Sequence, residues 1–260
     1  MDRSFQVEKA DDLTHLAQLG GASYSLTGRL DIRWTELANL QALKGLQAID
    51  GDLVIKDNPY LQSLQGLENL RRIGGGLVLA VNPRLASLTA LASLASLGDT
   101  LSLGGSPHLD LASLDALKER IGAGGHVVIA QPAYRIGRQE DIDWLARVGW
   151  ASCSIAGHLL IEDSQLASLD GLEGVVRIGG NLVIANNPQL LNLAGLASLQ
   201  RVDGDMRLSG NAQLVNVEGV DALSYIGGAL NVAGPDLNGT PFSGLDHVGY
   251  EALINGLPLR

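Results

Sequence analysis

Side chains able to do chemistry are few in this sequence, and the densest group of them stands near its start. Arg29, Asp31, Arg33, Asp52 and Lys56 bring carboxylates and cations together within two segments of similar pattern, a mixture that general acid–base attack on a polysaccharide would need. Opposite charges facing each other across adjacent strands account for the same residues without any reaction. His126 and His158 form a second group. If their segments stack as neighbouring strands, the imidazoles stand roughly 4.8 Å apart, close enough to share a metal or make a pH-sensitive contact. No third ligand is set by spacing, and two solvated side chains flanking a strand are the simpler reading. The one cysteine, Cys153, rules out an intramolecular disulfide and lies among inward-facing apolar positions, so a buried thiol is expected there in place of a nucleophile. The glycine clusters Gly74-Gly75-Gly76 and Gly122-Ala123-Gly124-Gly125 precede strands and are not followed by Gly-Lys-Ser/Thr, unlike phosphate-binding loops. His-Glu-x-x-His, paired cysteines and Gly-x-Ser-x-Gly are absent. The expectation is a protein that is not an enzyme and carries no cofactor or metal.

The elements that would position these residues follow from a duplication. Laid over itself at an offset of 129 residues, the chain matches turn by turn: Ser23 to Ile32 falls on Ser152 to Ile161, and Gly51-Asp52-Leu53-Val54-Ile55 on Gly180-Asn181-Leu182-Val183-Ile184. Each half is a stack of 23- to 24-residue repeats, a period that marks a solenoid, in which one turn buries its apolar edge against the next. Apolar residues alternate with period two at Leu30/Ile32, Leu53/Ile55, Leu77/Leu79, Leu101/Leu103, Val127/Ile129, Leu159/Ile161, Leu182/Ile184, Met206/Leu208 and Leu230/Val232, which predicts nine short strands. An Asn column at Asn58, Asn82, Asn187 and Asn211, with Thr35 and Ser164 at the opening turns, is placed to bond the backbone of successive turns. Acidic residues ahead of apolar ones at helical spacing predict a cap helix at Ala10 to Ala17 and its counterpart at Gln139 to Ala146. Further helices are expected at Ser113 to Arg120 and, closing the chain, at Tyr250 to Ile254. The fold class is therefore a β-solenoid with short capping helices, in two tandem homologous halves, 1–133 and 134–260.

Two features separate the repeat from the common leucine-rich repeat. Asn187-Pro188-Gln189-Leu190 has one residue more before its leucine, and the strand follows Ile178-Gly179-Gly180-Asn181. This arrangement resembles the receptor L domain, the leucine-rich right-handed β-helix of insulin- and growth-factor-receptor ectodomains and related fungal and bacterial proteins. Cys153-Ser154-Ile155-Ala156-Gly157-His158-Leu159-Leu160-Ile161 looks like that family's opening strand, and the resemblance runs over nearly the whole chain, twice. It implies a right-handed β-helix that binds a partner. It departs in having a single cysteine, whose first-half counterpart is Tyr24.

A net charge of −10 opposes binding to nucleic acid or anionic membrane, and the longest uncharged Leu/Ala stretch, Leu85 to Gly98, is too short and polar to span a bilayer. Met1 to Glu8 lack the basic segment and apolar run of a secretory signal, so the chain is expected to be cytoplasmic, or trimmed, or exported by another route. What remains is the outward face of the strands. Its middle column reads Asp31, Val54, Val78, Ser102, Val128, Leu160, Val183, Arg207 and Asn231. Val54, Val78, Val128, Leu160 and Val183 would form an apolar stripe, flanked by His126, His158 and Arg207, that could meet a protein partner or a second copy of the chain. Simple strand propensity explains the valines as well. A non-enzymatic module presenting a rigid sheet to a protein partner is the leading reading. A carbohydrate-binding adhesin using Trp34, Tyr60, Trp144 or Trp150 is the alternative, and a solenoid-hosted polysaccharide enzyme the third.

Overall fold

At the nine alternating apolar pairs the backbone extends and turns those side chains inward. All nine expected strands form: Leu30–Arg33, Leu53–Lys56, Leu77–Ala80, Leu101–Gly104, His126–Ile129, His158–Glu162, Leu182–Ala185, Met206–Ser209 and Leu230–Ala233. Their inward residues are at most 3% exposed, and each such burial stabilises by about 1.5–3 kcal/mol relative to an exposed side chain. The structure is a computed structural model that describes residues 4–122, 126–149, 151–217, 219–234 and 242–258. Ala123, Gly124, Gly125 and Trp150 therefore lie outside the described residues.

The chain divides into two units, Met1–Ala130 and Gln131–Arg260, a boundary three residues ahead of the one read from the sequence. In the first unit a long-strand parallel sheet begins at Phe5–Val7 and continues through the five strands from Leu30–Arg33 to His126–Ile129. A second parallel sheet joins Tyr24–Leu26, Leu46–Ile49, Arg72–Ile73 and Ser96–Leu97. The chain visits the two sheets alternately as far as Leu101–Gly104 and reaches His126–Ile129 through the helix Leu111–Ile121. The second unit repeats the plan: a long-strand sheet from Ala133–Ile136 through Ala252–Ile254, and a second sheet from Ser152–Ile155 through Val175–Ile178, Arg201–Val202 and Tyr225–Ile226 to His247–Val248. The architecture is mostly parallel β-sheet with three α-helices among the described residues.

Side-chain amides join successive repeats. Asn58 Oδ1 accepts from Thr35 N and Oγ1 (3.0 and 2.8 Å), Asn82 Oδ1 accepts from Asn58 N and Nδ2, and Asn82 Nδ2 donates to Ile55 O at 2.8 Å. Ser164, Asn187 and Asn211 build the same ladder in the second unit. All six residues are buried, so these amides replace water for backbone groups that would otherwise be orphaned.

The helices α1 (Ala10–Gly20) and α3 (Gln139–Gly149) lie where the acidic-then-apolar pattern placed them, and α2 (Leu111–Ile121) covers the further helix expected at Ser113 to Arg120. Asp12 Oδ2 accepts from Glu8 N and Lys9 N, and its counterpart Asp141 Oδ2 accepts from Gly137 N and Arg138 N, so each cap helix starts on a carboxylate that satisfies free N–H groups. The expected closing helix at Tyr250 to Ile254 is not there. Ala252–Ile254 is a strand paired antiparallel with Leu257–Pro258. Asn255 and Gly256 between them both take positive φ (50° and 78°), the backbone of a two-residue hairpin turn.

Candidate functional site

On the outward face of the first unit's long sheet, Asp31, Val54, Val78, Ser102 and Val128 stand in register. The apolar stripe is more covered than its sequence suggests. Val54 is only 3% exposed, and Val78 and Val128 are half-buried, as is His126. The charged group beside it is internally matched. Asp31 accepts from Arg29 at 2.8 Å and from Arg33 Nε at 2.6 Å, while Asp52 Oδ1 accepts from Gly76 N at 2.9 Å. Each carboxylate of the densest acid–base group is thus engaged in surface pairing or backbone bonding.

In the second unit the corresponding column is Arg135, Leu160, Val183, Arg207 and Asn231. Leu160 and Val183 are half-buried between exposed Arg135 and Arg207, and Arg135 pairs with Glu162 at 3.0 Å. His158 is exposed, but its Nδ1 accepts the backbone N–H of Asn181 at 2.8 Å. Asn181 Oδ1 accepts from Asp205 N, and Asp205 Oδ1 from Ala229 N, so His158 is one member of a ladder in which each repeat's side chain holds the next repeat's backbone. The strand beside His158 carries Ala133 in register with it, whereas His126 belongs to the first unit's sheet. Adjacent histidine rungs, the condition for a shared metal, are therefore not formed, because Ala133–Ile136 is a strand that the nine-strand pattern did not contain. Among the described residues no group of three or more His, Cys, Asp or Glu side chains is gathered as a metal ion would require.

The second sheet of this unit carries an outward column, exposed at Arg177 and His247 and half-buried at Arg201 and Tyr225, that sequence reading missed. Arg177, Arg201, Tyr225 and His247 are in register. The Arg201 guanidinium lies 3.6 Å from the Tyr225 ring centroid, Tyr225 stacks on His247 at 4.6 Å, and Asp203 accepts from both arginines.

The residues that stand out lie where the chain leaves each long strand. That position takes a left-handed φ in repeat after repeat: Trp34 (54°), Asp57 (58°), Val81 (53°) and Gly105 (63°) in the first unit, Asp163 (55°), Asn186 (57°) and Gly210 (70°) in the second. Glycine, Asn and Asp tolerate it, whereas a β-branched or bulky residue is strained there. Trp34 and Val81 break the rule, and both are exposed, at 65% and 42%. Their strands are two apart, so the two side chains leave the sheet edge roughly 10 Å from each other. Tyr60, 46% exposed, lies in the loop that follows Asp57, with the Arg84 guanidinium 5.3 Å from its ring. The signal was present in the sequence at the position just after each long strand, where Trp34 and Val81 stand among Asp57, Gly105, Asp163, Asn186 and Gly210. Trp144, by contrast, is half-buried and stacked on Tyr134 at 5.6 Å.

No protein family, no curated protein and no solved structure matches this chain. No helix among the described residues is long and apolar enough to cross a membrane.

Proposed function

We propose that this chain is a non-enzymatic binding module, a right-handed β-solenoid resembling a tandem pair of receptor L domains, which holds a protein partner against the long-strand edge of its first unit. The observation that carries this reading is the pair Trp34 and Val81. A left-handed backbone costs an ordinary residue about 1–2 kcal/mol, and the five other described turns of this kind carry Asp, Asn or Gly there. An exposed indole and an exposed isopropyl group kept at strained positions point to contact with something outside the chain. Val78, half-buried on the adjoining strand, extends the apolar contact inward. A rigid sheet edge binds with little ordering cost. The engaged carboxylates at Asp31 and Asp52 favour a binding role over acid–base chemistry.

A photo-crosslinking residue at position 34, in the full chain expressed in its native host, tests this. A discrete protein adduct is expected from position 34 and none from position 163, its counterpart in the other unit. An adduct twice the chain's own mass identifies a second copy as the partner. Equal labelling from both positions overturns the assignment. Carbohydrate binding is the second reading, favoured by the exposed rings of Trp34 and Tyr60 in neighbouring repeats. It predicts quenching of Trp34 fluorescence by an oligosaccharide, lost in Trp34→Asp.

A further inference from the structure

The second unit contains a cavity of about 190 Å³ between its cap helix and its second sheet. Leu145, Gly149, Cys153 and Val175 form a buried floor, and Ala146 and Glu173 stand exposed at the mouth. The first unit shows what such a space accommodates. At the 129-residue offset the floor becomes Leu16, Gly20, Tyr24 and Leu46, and there the Tyr24 ring fills it. A Cβ placed on Gly20 would lie 2.3 Å from Tyr24 Cγ, and one on Gly45 would lie 3.1 Å from Tyr24 Cε1. Gly20 and Gly45 therefore admit the aromatic ring. Their counterparts Gly149 and Gly174 both line the second unit's cavity, but the ring between them is replaced by a thiol.

One more difference acts in the same direction: Leu46 becomes Val175, so two substitutions around one site each remove atoms. An apolar cavity of about 150 Å³ already accepts benzene. The mouth changes sign: Lys44 in the first unit is Glu173 in the second, where the carboxylate accepts from Gly171 N at 2.9 and 3.0 Å.

We propose that this cavity binds a small aromatic ligand, a single six-membered ring with a neutral or cationic substituent, in the place that the Tyr24 ring holds in the first unit. The ring lies against Cys153 Sγ, a polarisable wall that favours aromatic contact. Burial pushes the thiol up to about 11, so at neutral pH it stays protonated and serves as a surface, not a nucleophile. Glu173 at the rim selects an ammonium substituent over a carboxylate.

Calorimetric titration of the intact chain with benzylamine, phenol and benzoate tests the site. Benzylamine and phenol are expected to bind saturably at one site per chain, with Kd on the order of 0.1–1 mM for a ligand of this size, and benzoate at least tenfold more weakly. Cys153→Tyr restores the ring and should weaken benzylamine binding more than tenfold. Tyr24→Cys should open a second site that, with Lys44 at its mouth, takes phenol and not benzylamine, raising the phenol stoichiometry to two, a gain that does not depend on Cys153→Tyr folding well. Absence of saturable binding by either ligand up to about tenfold above that Kd range overturns the proposal, and so does unchanged binding in Cys153→Tyr. Binding that emerges only in Trp150→Ala also overturns it, since the chain's own indole would then be the occupant.

Discussion

Replacing Val81 with glycine should cost almost nothing, while the same replacement three residues earlier, at Val78, should cost about 2 kcal/mol. Both valines are partly exposed and belong to one repeat of the first unit. At Val78, in the strand Leu77–Ala80, loss of a half-buried side chain removes about 1 kcal/mol of transfer free energy. Glycine's extra freedom in the unfolded chain adds about 0.5–1 kcal/mol. At Val81 the same two losses apply, but φ is 53°, and glycine relieves a left-handed strain of about 1–2 kcal/mol. The backbone itself loses nothing, because Val81 N still donates to Gly104 O at 2.8 Å. The net change at Val81 is therefore between about 0 and 1 kcal/mol, and the two variants differ by about 1–2 kcal/mol. With a urea slope of about 1–3 kcal/mol/M the midpoints separate by roughly 0.3–2 M. Urea unfolding followed by far-UV circular dichroism reads this directly. If Val81→Gly loses as much stability as Val78→Gly, the backbone at Val81 is not strained, and the argument that its side chain is kept for contact collapses.

Three further outcomes follow from the ladders. Asn187→Ala removes the partner of Ser164 N, Ser164 Oγ, Ile161 O and Asn211 Oδ1 in a buried site, and calorimetry should show a loss of about 3 kcal/mol or more. His158→Asn keeps an acceptor for Asn181 N, as Asn181 itself does for Asp205, and should unfold within about 0.5 kcal/mol of the parent, whereas His158→Leu should cost about 1 kcal/mol. At Asp203, partial burial alone would raise the carboxyl, but hydrogen bonds from Arg177 and Arg201 outweigh it and hold the group below its ordinary range. A folded value below the unfolded one means stabilisation present above about pH 4 and lost as pH falls through the folded value. Asp203→Asn should therefore lower the urea midpoint at pH 7, with the difference from the parent shrinking as pH falls through the folded value.

The nine long strands were legible because leucine and isoleucine alternate over four residues with glycine ahead of them. Phe5–Val7, Ala133–Ile136 and Ala252–Ile254 were not, since each stands beside a helix pattern or a hairpin and lacks the Asn turn after it. The second sheet was nearly invisible. Strands of two residues such as Arg72–Ile73 and Arg201–Val202 have no period to detect, and only the register of the long strands brings them together. The closing hairpin was misread as a helix although Asn255-Gly256 is a strong turn signal. At the surface, the outward columns identified which side chains leave the sheet but not how covered they are. Val54 is buried because residues on both sides and along its own strand crowd it, a property of packing that no single column encodes. His158 read most simply as a solvated side chain and is a backbone acceptor, a role that depends on the ring lying beside Asn181 N.

The duplication separates what the fold demands from what it merely permits, since each half is an alternative solution to the same folding problem. Inward positions recur at the 129-residue offset, as do the Asn ladder and the capping carboxylates Asp12 and Asp141. At three of the sites that differ, one copy carries a cost that the other avoids. Trp34 is strained where Asp163 makes the same turn, Val81 is strained where Gly210 does, and Cys153 leaves a cavity where Tyr24 fills one. A cost present in one copy alone is not required for folding. Selection against it would have needed only a single substitution toward the other copy, so its retention argues for a use outside the fold. Exchanging each residue for its counterpart, through Trp34→Asp, Val81→Gly and Cys153→Tyr, should leave both units folded while removing, in turn, the partner contact and the aromatic site.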